Sequence, residues 1–153
     1  MIKPLAVLAG AAALSAVVVT PASASAPTSA ATSTATTATT VTACSPWGLQ
    51  AGLSTRVCAE RTGEQVRLYG TVGLAGPPSP GTPWPPQQEL ATTLTGTNPA
   101  GTLNQYVVFT GSTRTVGDVT GTVACDGPIR ASFAVQSYPW APNPVTLDVV
   151  LPC

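Results

Sequence analysis

Residues 129–136 read Ile-Arg-Ala-Ser-Phe-Ala-Val-Gln, and residues 145–151 read Val-Thr-Leu-Asp-Val-Val-Leu. In the first, Ile129, Ala131, Phe133 and Val135 alternate with Arg130, Ser132, Ala134 and Gln136. In the second, Val145, Leu147, Val149 and Leu151 alternate with Thr146, Asp148 and Val150. A period of two is that of a strand with one dry face and one wet face. Residues 66–74 carry the same pattern, with Val66, Leu68, Val72 and Leu74 set against Arg67, Tyr69, Thr71 and Gly73. Weaker alternation predicts strands over 53–60, 89–97, 106–113 and 119–125, which makes seven. No sustained 3.6-residue pattern occurs after residue 44, and Val and Thr dominate, so the chain reads as all-β.

Turn residues fall in the gaps. Arg61-Thr62-Gly63-Glu64 joins the first two strands, Val116-Gly117-Asp118 precedes the fifth, and Asp126-Gly127-Pro128 joins the fifth to the sixth. Seven short strands within 44–153 predict a small disulfide-stapled β-sandwich, immunoglobulin-like in its strand arithmetic, with a small β-barrel as the alternative. The Cys…Trp…Cys spacing and tyrosine corner of true immunoglobulin domains are missing. The architecture therefore brings no function with it.

All four cysteines, Cys44, Cys58, Cys125 and Cys153, lie in this segment. Odd-numbered strands of an up-and-down series end at the same pole, which gathers Cys58, Cys125 and Cys153. Cys44 joins them if the chain reverses near Gly48 and Gly52. The favoured pairing is Cys44–Cys58 with Cys125–Cys153, ahead of Cys58–Cys125 with Cys44–Cys153. A zinc site is disfavoured because no C-x₂-C pair is present.

Upstream, Lys3 precedes an apolar run over 5–19, followed by Pro21 and the small residues 22–26. This predicts a secretory signal peptide over 1–24, cleaved after Ala24 or, as the alternative, after Ala26. The run is too short to span a bilayer, so no membrane insertion is expected. Residues 25–43, Ser-Ala-Pro-Thr-Ser-Ala-Ala-Thr-Ser-Thr-Ala-Thr-Thr-Ala-Thr-Thr-Val-Thr-Ala, have almost nothing to bury and read as a disordered stalk, open to O-glycosylation. The expected location is extracellular, with association to a cell wall through the stalk as a variant. The Ala/Thr/Gly/Pro bias is that of an exported protein of a GC-rich bacterium.

Charge and composition exclude most chemistry. The 153 residues hold six basic and six acidic side chains and no His, and charged residues make up 8% of the chain against about a quarter in ordinary soluble domains. With the signal removed, five Arg face six acids, and no Lys or Met remains. Nucleic acid is not an expected partner, because its binding needs clustered cations. Without His, a Ser-His-Asp or Cys-His nucleophile cannot be built, and without Lys there is no Schiff base. Glu60, Glu64, Glu89, Asp118, Asp126 and Asp148 could in principle supply a carboxylate pair, but their strand and turn positions read as solvated surface. Neither a catalytic residue nor a cofactor or metal ligand is expected.

All three tryptophans adjoin proline: Pro46-Trp47, Pro83-Trp84-Pro85 and Pro139-Trp140. The loop over 76–88 holds six prolines around Trp84, and 138–144 (Tyr-Pro-Trp-Ala-Pro-Asn-Pro) is built the same way. Such segments are stiff, so part of the entropy of binding is already lost. Trp47 and Trp140 read as caps on the open ends of the sandwich, although Trp140 can also join a contact surface. Trp84, Trp140 and Tyr138 are the candidate contact residues. Trp84-Pro85 and Tyr138-Pro139 are candidates for cis peptide bonds. The chain is therefore expected to be a secreted, non-enzymatic binding module that contacts an extracellular protein or polysaccharide through these loops. The alternative is a secreted inhibitor of an extracellular hydrolase.

Overall fold

The computed structural model describes residues 39–77, 79–81, 86–138 and 141–153. The expected signal peptide, the stalk up to residue 38, Trp84 and Trp140 lie outside the described residues, as do both aromatic-proline bonds.

Among the described residues nine strands form two antiparallel sheets. They are β1 (Thr40–Cys44), β2 (Gly48–Gln50), β3 (Leu53–Thr62), β4 (Gln65–Leu74), β5 (Gln88–Asn98), β6 (Ala100–Phe109), β7 (Arg114–Thr122), β8 (Pro128–Gln136) and β9 (Val145–Val150). The first sheet runs β1-β3-β4-β7, with β2 also on β3; the second runs β6-β5-β8-β9. Both sheets are open paths, so the molecule is a β-sandwich and the barrel alternative falls. Neither disulfide is the inter-sheet bridge of an immunoglobulin domain: Cys44 and Cys58 both sit in the first sheet, and the second bridge ties chain segments beyond strand ends.

All seven expected strands are present, with three differences. The first is an extra pair of strands. β1 and β2 pair in succession along β3, from Thr40↔Thr62 to Gln50↔Leu53. β1 therefore takes up residues 40–43, which read as stalk. Only Val41 and Ala43 there pack on the core, too little apolar surface to mark a strand, and the pairing with β3 supplies the order instead. The reversal into β3 occurs at Ala51 and Gly52, with φ of 52° and 76°. Two positive φ values make the two-residue hairpin turn that follows strand twist.

The second difference is in β6, which starts at Ala100 rather than residue 106. A two-residue turn at Asn98-Pro99, with a cis peptide bond, brings Ala100 opposite Thr97. Before Val107, the inward positions of β6 hold Gly101, half-buried Leu103 and exposed Gln105, so the alternation is faint.

The third is Val116-Gly117-Asp118, which is a bulge inside β7 rather than a turn. The register with β4 passes from Leu68↔Val119 to Gly70↔Val116, leaving Gly117 and Asp118 opposite Tyr69. Gly117 has φ 77°, the left-handed geometry of a glycine bulge. The extra residue lets Val116 and Val119 both enter the core while Asp118 turns outward.

The core lies between the sheets. Val57, Leu68, Leu94, Ile129, Phe133 and Val135 are buried there. Gly70 has no side chain because the ring of Phe133 occupies the place a Cβ would take. Polar side chains are buried with it, Gln50 and Arg61 the largest of them. Gln50 Nε2 donates to Phe133 O at 3.1 Å and to Thr55 Oγ1 at 2.7 Å, while its Oε1 accepts from Val135 N–H at 2.9 Å. β9 pairs with β8 only as far as Phe133, and the Gln50 amide continues that edge as a peptide group would.

Arg61, 1% exposed, is the largest fully buried side chain among the described residues. Its Nε donates to Gly63 O at 2.8 Å, Nη1 to Leu151 O at 3.0 Å, and Nη2 to Val123 O at 2.7 Å and Ala124 O at 2.8 Å. A buried charge is costly unless its donors are met, and four carbonyl dipoles meet these. The Cys125–Cys153 bridge closes the same pole. Cys44 and Cys58 form the other disulfide, directly opposite each other on β1 and β3 with Cα atoms 4.0 Å apart. Both pairings are the favoured ones.

Candidate functional site

Three outward positions of the first sheet are joined by ion pairs. Arg67 on β4 binds Glu60 on β3 and Asp118 on β7, each at 3.1 Å, and its guanidinium lies 5.2 Å from the Tyr69 ring centre. These hydrogen bonds, to Glu60 first, hold the Arg67 guanidinium above its ordinary value. Burial, and then the charge of Glu60, raise the Tyr69 hydroxyl above 10.0. Trp47 does not cap an end of the sandwich. It lies over Arg56, 4.4 Å from ring centre to guanidinium carbon, and is half exposed. Three carboxylates that could have formed a catalytic pair are thus engaged as surface ion pairs: Glu60 and Asp118 with Arg67, and Asp148 with Arg130 at 2.9 Å.

The outer face of the second sheet is different. Alternation buries Leu90, Leu94, Val107, Phe109, Phe133 and Val135 and turns Glu89, Ala91, Thr93, Thr95, Tyr106 and Gln136 outward. Ala91 on β5 is the cross-strand partner of both Tyr106 on β6 and Gln136 on β8. Tyr106 is 88% exposed, and Tyr138, two residues beyond Gln136, is 96% exposed. The smallest outward side chain of the row thus lies between Tyr106 and Gln136, and Tyr138 follows just beyond the end of β8. The result is a groove lined by Glu89, Ala91, Tyr106, Gln136, Ser137 and Tyr138. Tyr106 and Gln136 are separated by two strand spacings, about 10 Å.

Away from the tyrosines the same face is rich in hydroxyl and amide side chains. Thr93 Oγ1 donates to Asn104 Oδ1 at 2.8 Å. The next row places Thr102, Thr95, Ser132 and Thr146 side by side on β6, β5, β8 and β9. The Arg130–Asp148 pair closes the far end, beside a second depression lined by Thr95, Thr97, Ser132 and Thr146. From Ala91 to Thr97 the face extends about 20 Å along the strands.

Of the three candidate contact residues, the structure places Tyr138 at this groove; Trp84 and Trp140 are outside the described residues. Tyr106 was not singled out from the sequence. Its signal was the alternation itself, since Val107 and Phe109 facing inward oblige Tyr106 and Val108 to face out. Among the described residues no cluster of three or more His, Cys, Asp or Glu side chains could hold a metal ion, and no helix is long and apolar enough to cross a membrane. Fold and surface together define a small, disulfide-bonded β-sandwich with one hydroxyl-rich, ring-flanked face. No family model matches the chain, and neither a curated protein nor a solved structure is significantly similar to it.

Proposed function

We propose that the chain is an exported, non-enzymatic binding module that contacts an extracellular protein or polysaccharide through the end of the second sheet where the proline-rich β8–β9 connection begins. The observation that carries this reading is the exposure of two tyrosine rings, Tyr106 and Tyr138, that line one groove with Ala91. A tyrosine left in water contributes little to folding, whereas at an interface it supplies a large, rigid contact at small entropic cost. The proline neighbours Pro142 and Pro144 stiffen the connection that carries Tyr138. The absence of His from the sequence, and the engagement of Glu60, Asp118 and Asp148 in ion pairs, support a binding role over a hydrolytic one. In this reading residues 1–24 direct export, and the Thr-rich segment that follows holds the domain clear of the cell surface.

The test is capture of the secreted chain by cell walls and by concentrated culture medium, comparing wild type with Tyr138→Ala. Saturable capture that weakens in the variant supports the module. No saturable capture, or capture indifferent to the change, refutes it.

A further inference from the structure

We infer that the groove between Tyr106 and Tyr138 binds a polysaccharide chain without acidic groups, which continues along the strands over the outer face of β6, β5 and β8. The inference rests on the binding-module reading and names the chemical class of its ligand. A sugar ring has an apolar face of C–H groups and a rim of hydroxyls. Its C–H face stacks on the electron-rich face of an aromatic ring, and its rim needs close-set donors and acceptors. The groove offers both. Tyr106 and Tyr138 are 88% and 96% exposed and line one groove with Ala91, whose single methyl leaves the floor low. Gln136, Ser137 and Glu89 supply amide, hydroxyl and carboxylate groups at its rim.

Continuity with the hydroxyl rows favours an extended chain over a single sugar. Beyond the groove the face presents Thr93 with Asn104, and then Thr102, Thr95, Ser132 and Thr146 in one row across all four strands. Regularly spaced hydroxyls on a sheet match a repeating polymer of hydroxyls better than they match a protein. A protein partner is usually anchored by a compact cluster of aromatic, Met or Arg side chains, and here the large exposed apolar side chains are the two rings, half-exposed Val108 and, at the far end of the face opposite Pro128, Val150. Charge points the same way. Among the described residues Glu89 is the one ionisable side chain lining the groove apart from the tyrosines, and Arg130 on the same face is already paired with Asp148, so none of them is free to neutralise an acidic polymer.

The experiment is native affinity electrophoresis and pull-down of the full secreted chain with soluble xylan and starch, insoluble cellulose and chitin, and pectate as the acidic polymer. Wild type, Tyr106→Ala, Tyr138→Ala and, on the opposite sheet, Trp47→Ala are compared. The expected result is retention by at least one non-acidic polysaccharide, weakened about tenfold by either tyrosine change and unaffected by Trp47→Ala. Circular dichroism shows the exposed-site variants to be folded. Retention that survives both tyrosine changes, or that Trp47→Ala abolishes, overturns the inference, as does retention by pectate alone or by none of the polymers. If Tyr138-dependent capture by medium proteins or walls persists in those cases, the binding-module reading stands and the ligand class is wrong.

Discussion

Arg61 Nη1 donates to the carbonyl of Leu151 at 3.0 Å, joining residues 90 apart at the pole that Cys125–Cys153 closes. The guanidinium also holds the carbonyls of Gly63, Val123 and Ala124, so one side chain fixes the β3–β4 turn, the segment after β7 and the end of β9. Arg61→Met keeps the volume and removes every donor. We expect a loss of roughly 3 kcal/mol or more in urea unfolding. Removing the Cys125–Cys153 bridge costs about 3.6 kcal/mol on the loop-entropy model. Because both act on the same pole, the combined variant loses less than the two single losses added together, a departure of at least about 0.5 kcal/mol in a double-mutant cycle. Strict additivity would mean that the two fasten the pole independently.

Gln50 reaches from the edge of the first sheet to Phe133 O and Val135 N–H of the second. Gln50→Ala leaves a buried donor and a buried acceptor unmet, at a cost of about 1–3 kcal/mol each when no water replaces the amide. Hydrogen exchange at Val135 reads this directly: it accelerates in Gln50→Ala with the fold retained. Gln50→Glu still accepts from Val135 but cannot donate to Phe133, so its exchange rate falls between those of wild type and Gln50→Ala.

Tyr69 gives the domain a dependence on alkaline pH. Burial, followed by the charge of Glu60, raises its hydroxyl above 10.0 in the folded chain. The unfolded chain then releases the proton at lower pH than the folded one. The associated stability is complete below pH 10.0 and is lost as pH rises through the folded value. Urea midpoints compared below and above pH 10.0 show a decline in wild type that Tyr69→Phe reduces. An equal decline in the variant would assign the effect to other groups.

Where large aliphatic residues keep a period of two, as in β4, β8 and β9, strand and facing were both legible in the sequence. β2 was not, because its inward positions are Gly48 and Gln50, and main-chain pairing with β3 and the Gln50 amide hold it in place. Gly117 marks a turn and a bulge equally well from sequence, and only the pairing of Leu68 with Val119 and Gly70 with Val116 separates them. Arg61 carried a signal that the turn reading masked: it occupies the inward series Leu53, Thr55, Val57, Ala59, Arg61, where a charge demands partners. The candidate site was half legible. Tyr138 stood out through its proline neighbours, but its pairing with Tyr106 depends on Ala91 lying between β6 and β8, a relation set by strand order rather than by local sequence.

The central claim, that the Tyr106–Tyr138 groove is the binding surface, is tested most directly by amide chemical-shift mapping of the folded domain during titration with cello-oligosaccharide and chito-oligosaccharide. The account predicts that one of them shifts a contiguous set at Ala91, Tyr106, Gln136 and Tyr138, while Trp47, Arg56 and Tyr69 on the other sheet stay in place. Shifts confined to the first sheet, or none with either ligand, would contradict it.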